Sequence, residues 1–157
     1  MNEFTAKKLG EVLAFCRVGA ETIEKGHEGF VKVADVEKLE KTISQLNNHA
    51  DMIIDFADKA GMKEVTLTKC EGTSNKLRAM RDMYVGEEWD NAAELLEWKG
   101  FFEGAAIVHW ALVEGAAKSL DLAELADLAD DAQDKHEDLL EFVSKSLEKI
   151  GSEKAKA

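Results

Sequence analysis

The sequence contains no proline. Proline breaks helix interiors and is common in irregular connections, so a 157-residue chain without it suits long helices joined by few loops. Cysteine is almost as scarce. Cys16 and Cys70 are the only two, too few for a disulfide framework. No Lys/Arg cluster or basic stripe occurs, and 32 acidic against 20 basic residues give a formal net charge of -12. A phosphate backbone is bound by concentrated positive charge, so nucleic acid is disfavoured as a partner, as are anionic membranes. The sequence also lacks a glycine-rich phosphate loop, a serine nucleophile elbow, a Cys-x-x-Cys pair and an internal repeat.

Long apolar runs are missing too. The most apolar stretch, FFEGAAIVHWALVEGAA from Phe101 to Ala117, is too short to span a bilayer and carries Glu103 and Glu114. MNEFTAKKLG at the start lacks the basic-then-apolar pattern of a secretion signal. A cytoplasmic protein is the expectation. At 45% apolar and 33% charged residues, a chain of this length buries a real core unaided. One helical-bundle domain over residues 1–151 is expected, with a disordered tail over 152–157.

Four long helical patterns are present. The first spans about Phe4 to Gly26, with Leu9, Val12, Leu13, Cys16, Gly19, Ala20 and Ile23 at three-and-four spacing. The second opens on Asp35 as N-cap and stops at Gly61. The third runs from Asn91 to about Lys118, with Glu94 as a capping-box partner. Asp121 and Glu124 repeat that pattern and open the fourth, which is expected to end at Ile150. Between Met62 and Asp90 the periodicity fails. MKEVTLTKCEGT is rich in Thr and Gly and alternates briefly like a strand, and a short helix is expected from Asn75 to Val85. A helix of 25 residues is roughly 37 Å long, and twelve extended residues reach about 40 Å. Met62 to Thr73 is therefore long enough to return along a whole bundle. The competing arrangement is an up-down-up-down bundle with a short extra helix.

Each long helix holds, in it or at its end, one of the four histidines: His27, His49, His109 and His136. His109 is the one polar member of the row Leu95, Trp98, Phe102, Ala105, Leu112 and Ala116, and His136 of the row Leu125, Ala129, Ala132, Leu139 and Val143. Hairpin geometry sets Cys16 level with His49. A crossover would bring His136 to that height, with His109 about one turn away. Thiolate and imidazole are ligands for transition metals such as iron or zinc. His49, His109, His136 and Cys16 are thus candidate metal ligands, with Glu103 as a polar neighbour. The alternative is that each packs in the core with a hydrogen-bond partner.

Helix order and the long connection make the chain resemble the ferritin-like superfamily. That resemblance implies a four-helix bundle with a long crossover between the second and third long helices, and metal ligands at mid-bundle. Leu46-Asn47-Asn48-His49 and Gln133-Asp134-Lys135-His136 match its Glu-x-x-His motifs at the histidines, but both motif glutamates are absent. A carboxylate-bridged di-iron site is therefore disfavoured. Glu103 lies six residues before His109, about 120° around the helix, so a core-facing His109 would leave Glu103 on a flank with a raised pKa. That flank also carries Leu96, Gly100, Ile107 and Trp110, an apolar face expected either to form a homodimer or larger oligomer or to be covered by the segment between Met62 and Asp90. Two functions follow: a metal or small-ligand site at mid-bundle, or a noncatalytic oligomeric protein acting through protein contacts.

Overall fold

Backbone capping places most of the helix boundaries. A computed structural model describes all residues from Met1 to Ala157. Asn2 caps α1 (Glu3–Lys25) by accepting from the Thr5 amide. The single turn α2 (His27–Phe30) follows. Asp35 accepts from the Lys38 amide at 2.7 Å and opens α3 (Val36–Lys59). Gly61, at φ +69°, makes the tight turn into α4 (Lys63–Val85), and Gly86, at φ +59°, ends it. Asn91 accepts from the Ala93 and Glu94 amides at the start of α5 (Ala92–Ser119). The last helix is α6 (Ala123–Lys156). The protein is all-α, and no helix is long and apolar enough to cross a membrane.

Three expectations change here. Residues 63–85 form one continuous helix, so the extended segment and the separate short helix both give way to α4. Asp121 does not cap α6. It sits at φ +55° in the turn, where a short polar side chain is tolerated, and Leu122 precedes the helix with no side-chain cap. The tail is helical to Lys156, because Ala favours helix and Lys154 and Lys156 suit its negative C-terminal end.

α1 is the central helix. It packs on α3, α4 and α5, and most of its residues are buried. α4 runs parallel to it. Thr66 of α4 donates to the Ala6 carbonyl at one end, and Arg81 reaches Glu21 and Thr22 at the other. α3 and α5 run antiparallel to α1, with Leu46 against Gly19, Phe102 against Phe15 and Gly19, and Leu95 against Gly26. α6 returns along α5 and touches α3 where His49 meets Asp131.

The α1–α4 contact is close because Gly10 has no side chain. A Cβ there would lie 2.5 Å from the Thr66 carbonyl oxygen and 2.7 Å from the Lys69 Cβ. Neither neighbour is the free end of a flexible chain, so Gly10→Ala is expected to push the helices apart at a cost of about 1–3 kcal/mol. Gly72→Ala on the same helix pair meets nothing within 4 Å and should gain up to about 1 kcal/mol from helix propensity. Urea denaturation of the two variants reads this contrast. Equal stabilities would mean that α1 and α4 are not in close contact.

Candidate functional site

The middle of α5 holds the most unusual chemistry in the core. Lys99 and Glu103 are four residues apart and so share one helix face. Lys99 Nζ donates to Glu103 Oε1 at 2.9 Å. The other carboxylate oxygen, Oε2, accepts from His136 Nδ1 of α6. Glu103 and His136 are each 1% exposed and Lys99 8%. Burial alone pushes the Glu103 carboxyl up. The charges of Lys99 and His136 and their hydrogen bonds outweigh it and hold the pKa at about 2. The expected raised pKa is thus reversed, because Lys99 joins the site.

Next to this network lies His49 of α3. Its Nε2 is 3.2 Å from Asp131 Oδ2, and its ring stands edge-on to Trp110 at 6.1 Å. Burial lowers its pKa, Asp131 partly restores it, and the positive charges of His136 and Lys135 lower it again. Two buried imidazole nitrogens, His49 Nδ1 and His136 Nε2, have no hydrogen-bond partner. Cys16 is fully buried. Its thiol is pushed up to about 12 by burial and by the nearby Cys70 and Glu103, so it stays protonated and inert.

His109 is not part of this group. Its Nδ1 donates to the Ala105 carbonyl at 2.7 Å, its ring packs on Phe15 at 4.9 Å, and Nε2 is 3.9 Å from Glu11. The expected orientation of α5 holds at Leu95, Trp98 and Phe102, which are buried, but not at its centre, where Glu103 points in and His109 sits at the edge. Leu96, Trp110 and Glu103 are buried within the chain, and a Cβ at Gly100 would meet Val143 of α6. The flank expected to meet a partner subunit or the segment between Met62 and Asp90 is thus covered within the chain, by Val143 of α6 at Gly100 and by His49 of α3 at Trp110. The opposite side, with Phe101, Val108 and Leu112, is the exposed one.

A transition metal does not fit these residues. No group of three or more His, Cys, Asp or Glu side chains is arranged to hold one. Glu103 is engaged by Lys99 and His136, Cys16 is held as a thiol, and His109 lies elsewhere. His49 and His136 remain as two free nitrogens, fewer than the three or four ligands of a zinc site. Lys99 and Asp131 were missed in the sequence. For Lys99 a signal existed, since WKGFFE puts a cation four residues before Glu103 in an otherwise apolar helix. Comparison with protein-family models, curated proteins and solved structures finds no match to this chain.

Proposed function

We propose that this chain is a noncatalytic helical protein that acts by binding another protein surface through the apolar face left open by α4 and α5. The observation that carries this reading is the exposure of Phe101, Val108 and Met83, at 64%, 62% and 82%. Tyr84 and Phe101 touch at 5.4 Å and join the two helices into one patch, which Met80 extends. An apolar patch of this kind on an otherwise charged surface marks an interaction site. The interior supports the noncatalytic half of the reading, because both oxygens of Glu103 are engaged by Lys99 and His136 and Cys16 is held as a buried thiol. The directions of α1, α3, α5 and α6 support a ferritin-like arrangement, with helical α4 in place of an extended crossover. The donor set gives less support to metal handling as the function.

Covalent footprinting tests the reading. Met80, Met83 and Phe101 should label freely in dilute purified protein and be protected in the cells that make it, while exposed residues elsewhere, such as Phe4, label equally in both. Equal labelling of the patch in both settings would overturn it.

A further inference from the structure

The exposed face of α5 has a pattern that selects its occupant. Phe101, Gly104, Val108, Leu112 and Gly115 recur at three-and-four spacing and so lie on one side of the helix. From Gly100 to Val113 the only ionisable side chains are Glu103, which is buried, and His109, which packs against Phe15 at the edge. Elsewhere the surface carries the excess acid of a chain with net charge -12. Two copies therefore repel over most of their surfaces and not here.

From this, and resting on the interaction reading above, we infer that the occupant is a second copy of this chain, with α5 paired antiparallel to α5 about a two-fold axis through Val108. A two-fold contact requires that residue i meet j while j meets i. With the axis at Val108, Phe101 falls opposite Gly115 and Leu112 opposite Gly104, while Ala105 meets Ala111. Phe101 and Leu112 thus each face a glycine, and Val108 faces its own copy. Both glycines are open notches, since a Cβ on either would meet nothing within 4 Å. Small residues between them let the helix axes approach closely.

The ends of the helix agree with this register. Glu97 is exposed near the N-terminal end, and Lys118 near the C-terminal end. The axis brings Glu97 of one copy opposite Ser119 of the other and next to Lys118, whose ammonium also pairs with Glu114 in its own chain, and antiparallel helix dipoles attract.

Analytical ultracentrifugation of the full chain is the test. The expected mass is twice 17.3 kDa at about 10 µM, a concentration at which a micromolar Kd leaves mostly dimer. Val108→Glu puts two like charges on the axis and should weaken association at least about a hundredfold, with the circular dichroism spectrum unchanged. Val108→Cys should instead form an interchain disulfide under mild oxidation, since a residue on a two-fold faces itself. A monomer up to about 100 µM overturns the inference. If the patch is then still protected in cells, the interaction function stands with a foreign partner. If it labels freely, both fail. A dimer indifferent to Val108→Glu and unlinked by Val108→Cys overturns the pairing through α5.

Discussion

Glu103→Leu is expected to destabilise the protein by about 3–5 kcal/mol, because it leaves Lys99 and His136 as buried polar groups without their carboxylate. Removing all three partners is a different experiment. Lys99→Met, Glu103→Leu and His136→Leu together replace the network with apolar side chains of similar volume. Burying charges costs desolvation that their attraction only partly repays, so apolar replacements of buried ion pairs are often neutral or stabilising. The triple variant should therefore lie within about 1 kcal/mol of the wild type, or above it. Urea unfolding followed by circular dichroism measures both. If Glu103→Leu alone matched the wild type, the three residues would not form a coupled unit. If the triple variant were as damaged as the single one, the network would hold the α5–α6 geometry in a way that apolar packing cannot replace.

The helices were legible in the sequence wherever apolar residues mark one face and a short polar side chain marks the start. α1 and α3 meet both conditions, and the Asp35 and Asn91 caps form as their side-chain chemistry requires. α4 was not legible, for a definite reason. Its buried positions are Thr66, Cys70, Ser74, Leu77, Arg81 and Val85, which keep helical spacing but are mostly small or polar. They suit a close contact at Gly10 and ion pairs to Glu21, so a reading keyed to apolar residues sees no helix. Thr66 satisfies its hydroxyl on Ala6 and does not compete with its own backbone.

The candidate site was half legible, and α5 explains the other half. Heights along the bundle could be counted, and Glu103 does meet His136. The rotation of α5 could not be read, because the helix is apolar nearly all round. Choosing His109 as the inward residue held for Leu95, Trp98 and Phe102, which are buried, and failed further along the helix, where Leu112 is exposed. It sent Glu103 to a flank and left Leu96 and Trp110 for a partner or the segment between Met62 and Asp90, whereas all three are buried by the chain's other helices. One further residue would have broken the tie. Lys99 shares a face with Glu103, and a cation and an anion four apart in an apolar helix can be buried together more cheaply than Glu103 can be buried alone.

Acid should weaken the fold in two separable steps. For His49 the folded pKa lies below its ordinary 6.5, chiefly through burial. As the pH falls below 6.5, the unfolded chain takes up a proton that the folded protein resists, so stability drops toward the folded value. Glu103 gives the second step. Its folded pKa is about 2 against an ordinary 4.5, so its contribution is complete above 4.5 and is lost as the pH falls toward 2. A difference of that size corresponds to about 3 kcal/mol. Both steps have the same sign, because in each window the unfolded chain binds more protons. Urea midpoints at pH 7.5, 5.5 and 3 resolve them. His49→Leu should shrink the decline between pH 7.5 and 5.5, and Glu103→Gln should shrink that between 5.5 and 3 from a lower starting stability, the rest coming from the other paired carboxylates such as Glu21 and Glu114. A wild-type profile that is level from pH 7.5 to 3 would show that neither group is held as its burial and partners require.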